Sequence, residues 1–192
     1  VTNHDVIVAI CVLGVAAQAL VALLILAAGA AAAGVRAPLA AIRGFLWGYE
    51  LWAAFVVTSV ATGGSLFFSE IAGFVPCELC WYQRICMYPL SIITLLAAAA
   101  QDHRVARYLL PLPLIGACVS VYHLLVENGV VGESSACFVS APGGCATKWI
   151  NEFGYMTIPT LALTGFLLAG ALLAFAATGA ETDGTLEADA ER

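Results

Sequence analysis

Long apolar runs separated by short polar gaps make up almost the whole chain. A helix that crosses a bilayer needs about 20 mostly apolar residues. Five runs meet that length: residues 6–33, 45–68, 81–100, 108–126 and 156–177. The first has no charge and one amide, Gln18. The second carries only Glu50 and the third only Arg84. The fourth has one histidine, His123, and the fifth has nothing ionisable. Each run is predicted to be helical, because lipid offers an open backbone no hydrogen-bond partner. A signal peptide would account for the first run, but the run is too long and lacks a basic flank. It is read as a further spanning helix.

Composition sharpens this picture. Hydrophobic residues make up 62% and charged residues 10% of the 192-residue chain, against about a quarter charged in soluble domains. The length suits one bundle of spanning helices and little else. The net charge of −6 is local: Glu181, Asp183, Glu187, Asp189 and Glu191 crowd the end of the sequence. That acidic segment has no apolar pattern and is expected to be disordered. No basic patch exists to hold nucleic acid.

Basic residues set an expected orientation. Arg36 and Arg43 lie in the gap 34–44, and Arg104 and Arg107 in the gap 101–107. Five spans put these gaps on one side, together with the acidic tail. The opposite side holds residues 1–5 and the gaps 69–80 and 127–155, with Lys148 as its one basic side chain besides histidine. The arginine side is expected to face the cytoplasm.

The cysteines carry the candidate chemistry. Cys77 and Cys80 form a CxxC at the start of the third run, and Cys137 and Cys145 lie in the second outer gap. All four fall on the side expected to face out, where disulfides persist. Cys11, Cys86 and Cys118 fall inside spans and read as small apolar fillers. Pro76 precedes the CxxC and favours a helix start there. The helix dipole at that end favours a thiolate. Arg84 follows Cys80 by four residues, on the same helical face and one turn deeper. An arginine at that depth is costly unless it is paired or snorkels, and a Cys80 thiolate would give it a partner. Half of a zinc site is the alternative reading of the CxxC, with Cys137 and Cys145 completing four thiolate ligands.

Other residues carry weaker signals. His123 and Glu127 share a helical face near the outer end of their span, as a proton route or as an interfacial pair. Glu50 is expected to pair with Arg43 or to snorkel. Trp149, Ile150 and Phe153 are spaced as in a short amphipathic helix lying on the interface. The stretches 132–135, small and polar, and 141–144, glycine-rich, give the second outer gap freedom to move.

The chain resembles the DsbB/BdbC family of membrane disulfide-bond formation proteins. Cys77-x-x-Cys80-x-x-x-Arg84, Tyr122-His123 and Phe153-Gly154-Tyr155-Met156-Thr157-Ile158-Pro159 carry the likeness, with the second cysteine pair in the expected order. The short spacing of that pair is closer to the BdbC branch. The resemblance implies an all-α membrane fold: a four-helix redox bundle over 45–177, an extra N-terminal helix and loop in 1–44, and the acidic tail 178–192. It implies Cys77, Cys80, Cys137 and Cys145 as catalytic residues, no metal, and a ubiquinone- or menaquinone-type cofactor bound through Arg84 and Cys80, with His123 placed there for protonation. It also implies an extracytoplasmic thioredoxin-fold partner of DsbA type. That partner's electrons would enter at Cys137, pass from Cys145 to Cys77, and leave from Cys80. Cys77–Cys80 and Cys137–Cys145 are then the resting disulfides. Vitamin K epoxide reductase-like enzymes also join loop cysteines to a membrane CxxC, but their loop pair precedes it; here it follows.

Overall fold

The computed structural model describes residues 2–178. Its elements are α1 (Asn3–Ala32), α2 (Ala37–Leu46), α3 (Glu50–Leu66) running into a π-helical turn (Phe67–Ile71), α4 (Glu78–Ala100), a 3-10 turn (His103–Val105), α5 (Ala106–Leu109), α6 (Pro111–Glu127), α7 (Ser135–Ser140) and α8 (Ile158–Ala190, described as far as Thr178). Five helical segments are long and apolar enough to cross a membrane: Asn3–Ala32, Glu50–Ile71, Glu78–Ala100, His103–Glu127 and Ile158–Thr178. The chain is an all-α, multi-pass membrane protein, and no strand occurs among the described residues beyond an isolated Glu152–Met156 bridge. The acidic tail expected to be disordered lies outside the described residues.

Local chemistry sets where the helices start and stop. Thr2 caps α1: its hydroxyl accepts from the Asp5 amide, and the Asp5 carboxylate accepts from the Thr2 amide, which together satisfy two otherwise orphaned donors. The run 45–68 reads as one helix from its sequence, but the chain turns at Trp47 and Gly48. Gly48 sits at φ +80, a left-handed conformation that glycine adopts without a steric penalty. The residues before it form α2, so the gap 34–44 is largely helical. The gap 101–107 is likewise taken up by short helical turns.

Helices α3, α4, α6 and α8 form a ring in which each packs on its neighbours. Leu51, Leu90, Phe166 and Leu173 fill its centre. Lipid-facing side chains such as Ile92, Leu96 and Leu114 are also apolar, and exposed. Hydrophobicity alone therefore cannot choose the packed face, and small and hydroxyl residues mark it instead. The Thr58 and Thr94 hydroxyls meet at 3.3 Å and those of Ser59 and Ser91 at 3.0 Å, both across the α3–α4 seam. Outside the ring, α1 packs against α8.

Two expectations are corrected at this level. Glu50 does not pair with Arg43. Its carboxylate lies 3.8 Å from His103 Nε2, while Arg43 donates to the Thr178 hydroxyl and lies over the Phe175 ring. Residues 149–153 are not a helix. Phe153 (φ +55) and Gly154 (φ +78) are both left-handed and turn the chain between Glu152 and Met156. Ile150 is buried against the cluster of Ile7, Cys11, Phe68 and Met156.

Candidate active site

The site grows from the N-terminus of α4. Cys77 is the N-cap residue, in extended conformation, and its sulfur accepts from the Cys80 amide at 3.3 Å. Pro76 lies just outside the helix rather than in its first turn. The Cys77 and Cys80 sulfurs are 2.8 Å apart and carry free thiols; the disulfide expected between them is not formed. The Cys77 thiol is held down to about 5, chiefly by the hydrogen bond from the Cys80 side chain. Burial opposes this, and His123 reinforces it.

Around Cys77 the second pair closes in. Cys137 and Cys145 form a disulfide, as expected. Both pack in one buried cluster with Cys77, Leu79 and Val126, against which Cys80 is set. The second outer segment is fastened there at several points. Ser134 caps α7, Ser140 Oγ accepts from the Glu78 amide at 2.9 Å, and the Glu133 carboxylate accepts from the Cys145 amide at 2.8 Å. The structure thus brings all four predicted cysteines together. With Cys137 bonded to Cys145, a four-thiolate zinc site has lost two of its ligands. The Cys77 and Cys80 sulfurs and a ring nitrogen of His123 nevertheless lie within 4.8 Å of one another, close enough to hold an ion.

His123 sits between the pairs. Its Nε2 is 3.1 Å from the Cys145 carbonyl oxygen and 3.7 Å from the Cys77 sulfur, and its Nδ1 is 3.4 Å from Gln83 Nε2. A Gln83 amide donating to Nδ1 leaves the proton on Nε2, facing the carbonyl and the Cys77 sulfur. The sequence reading grouped His123 with Arg84 as a cofactor ligand. His123 instead lines a small cleft with Glu127, Cys145 and Lys148, which adjoins the large cavity at Cys80, and it meets that cavity's lining through Gln83. Glu127 is buried there with its carboxylate 3.8 Å from the Lys148 ammonium.

On the other side of Cys80 lies a cavity of ≈ 280 Å³ between α1, α3, α4 and α8. Its wall is mostly apolar. Its polar end holds Cys80, Gln83, Arg84 and Ser65. Arg84 is buried, and its guanidinium donates from Nε to the Ser65 hydroxyl (3.0 Å) and from Nη2 to the Ser65 carbonyl (2.9 Å). The Trp81 and Tyr88 rings lie 5.2 and 5.9 Å from its centre. Its direct partner is therefore Ser65, just ahead of the π-helical turn, rather than the Cys80 sulfur. Phe68, Phe74 and Trp149 stack in sequence, with centroids 6.0 and 5.2 Å apart, and roof this end. Cys80 borders both spaces, whereas Cys77 borders only the small cleft.

The sequence reading missed Ser65, Gln83 and Glu133. Gln83 carried a usable signal: it is an amide inside an apolar span, three residues after Cys80 and so on its face. Ser65 and Glu133 carried none, because each acts on a residue remote in sequence.

A buried dithiol and a disulfide meeting at one end of a helical bundle define a membrane thiol–disulfide protein. The family model described as "Disulfide bond formation protein DsbB" matches residues 48–177, and the chain belongs to that family. It is 50% identical over 120 residues to disulfide bond formation protein C of Bacillus subtilis, a match covering 62% of this chain and 85% of the relative. A probable disulfide formation protein of Deinococcus radiodurans is 42% identical over 135 residues, 66% of this chain and 87% of the relative. A probable disulfide formation protein C 1 of Bacillus anthracis is 46% identical over 119 residues, 62% of this chain and 85% of the relative. No solved structure matches the chain.

Proposed function

We propose that this protein is a quinone-dependent thiol oxidase. It draws two electrons from a reduced extracytoplasmic thioredoxin-fold protein of DsbA type, and so supports disulfide formation in exported proteins. The observation that carries this reading is the position of Cys80, which borders the large apolar cavity and also touches Cys77, the neighbour of the second pair.

The partner's thiolate attacks the Cys137–Cys145 disulfide at Cys137. The mixed disulfide resolves, which releases oxidised partner and leaves Cys137 and Cys145 as thiols. Cys145 then attacks the Cys77–Cys80 disulfide at Cys77, and Cys80 leaves as a thiolate on the cavity wall. Cys137 closes on Cys145 and frees Cys77. The electron pair is now on the first pair, whose disulfide re-forms as the electrons depart. The second pair bonded and the first pair as thiols is the pattern expected at that stage. His123 holds a proton on Nε2 toward Cys77 and so favours its release as thiolate.

A cavity this size, apolar along its wall and polar at one end, fits a quinone ring with its tail toward lipid. Arg84, fixed by Ser65, and the Gln83 amide would meet the ring oxygens. Bound there, quinone supplies a two-electron sink more positive than the about −120 mV of a DsbA-type oxidant. The arginine distribution supports a cysteine end on the outer side of the cell membrane.

Purified protein, quinone and a reduced thioredoxin-fold dithiol test the reading, with loss of partner thiols as the signal. Cys80→Ser should reduce turnover to background. Turnover at the normal rate in that variant would refute the mechanism.

A further inference from the structure

The helix that lies outside the family match holds one wall of the cavity. Residues 48–177 carry the family likeness, and α1 precedes them entirely. Yet Ile10, Leu13, Gly14 and Ala17 of α1 line the same space as Cys80 and Arg84. Their spacing of i, i+3, i+4 and i+7 is a single helical face. The same stripe continues in both directions. Ile7 and Cys11 are buried toward the cysteine end, and Val21 and Leu24 pack on the ring core toward the other. A helix merely adrift in lipid has no reason to sort its faces this way.

Two features fasten it. At Gly14, a Cβ would come within 2.4 Å of Leu161 Cδ2 on α8, so glycine permits close approach there. Gln18, the one amide in the apolar run 6–33, donates to the Thr164 hydroxyl (3.3 Å) and accepts from the Tyr155 hydroxyl (3.0 Å). Thr164 itself lines the cavity. An amide in lipid is costly without partners; one of these partners lies in α8 and the other in the turn just ahead of it.

We infer that α1 is a structural part of the quinone site: it closes the lipid side of the space between α3 and α8, and Ala17 and Leu13 contact the bound quinone. This rests on the reading of the cavity as the quinone site. Arg84 and Cys80 set where the ring sits, and α1 sets how wide a ring and tail the site admits.

Photolabelling separates the two ideas. The intact protein in lipid nanodiscs is irradiated with a short-tailed azidoquinone, digested and mapped by mass spectrometry. Label on the α1 peptide around residues 13–17, together with label on α3 or α8, is the expected result. Ala17→Phe, which fills the cavity from the α1 side, should raise the probe concentration for half-maximal labelling about tenfold. Val12→Phe, on the exposed face of α1, should leave it unchanged. Label confined to α3, α4 and α8, with Ala17→Phe saturating normally, would overturn the α1 assignment and leave the quinone site standing. Label that misses every helix of the cavity would overturn both.

Discussion

At the N-cap of α4 the Cys77 sulfur accepts from the Cys80 amide, contacts the Cys80 thiol and faces His123 Nε2. Each contact favours the thiolate, so the group ionises near 5 rather than in the ordinary thiol range. In fully reduced protein, alkylation of Cys77 by iodoacetamide should be flat from pH 9 down to about 6. It should then fall, about tenfold per pH unit, once the pH drops below about 5. Restricted access slows the rate at every pH alike, so the profile keeps its shape, and the upward pull of burial is already contained in that midpoint. His123→Phe removes the Nε2–H donor without opening a large void, and the midpoint should move up toward the ordinary thiol value. The mass-spectrometric rate profile of the Cys77 adduct reads this directly. An unmoved midpoint would remove His123 from thiolate stabilisation.

The helices themselves depend on a few close contacts that apolar periodicity does not display. Gly116 of α6 lies under the Phe166 ring of α8, where an added Cβ would sit 2.3 Å from two ring atoms. Phe166 is almost fully buried in the ring core and cannot swing aside cheaply. Gly116→Val should therefore lower the melting temperature in detergent, at a cost of about 1–3 kcal/mol. Gly132→Ala, which meets nothing within 4 Å, should not. Equal melting of the two variants would contradict this packing. The same pair shows what the sequence could and could not tell. Run length and charge spacing located five spans and the start of α4 to within a few residues. The packed faces stayed hidden, because Leu114 toward lipid and Leu90 toward the core are equally apolar. Arg84 was visible as a buried cation, but its partner Ser65 lies on another helix, nineteen residues earlier. The turn at Phe153 and Gly154 defeated the helical spacing of Trp149, Ile150 and Phe153, since two successive left-handed residues override any amphipathic pattern.

Across the whole molecule, the loop arginines and the cysteine pairs sit at opposite ends. Arg36, Arg43, Arg104 and Arg107 all lie at the end where α2 and the His103–Val105 turn join the spans, and Cys77, Cys80, Cys137 and Cys145 gather at the other. Lys148 is the one lysine or arginine in the segments at the cysteine end, and a single basic residue does not offset four. Basic residues in short segments bias insertion toward the cytoplasm, so the cysteine end should be translocated. Alkaline phosphatase, which is active only after export, should be active when inserted after Gly132, whose surroundings are open. It should be inactive when fused after Thr178. Green fluorescent protein, which fluoresces when it folds in the cytoplasm, should give the reverse pattern. Replacing Arg36, Arg43, Arg104 and Arg107 together with asparagine should blur this contrast, with both reporters partly active at each site. A sharp contrast that survives the fourfold replacement would show that something other than these arginines orients the bundle. A reversed contrast in the unaltered chain would put the cysteines in a reducing compartment, where the proposed oxidase could not work.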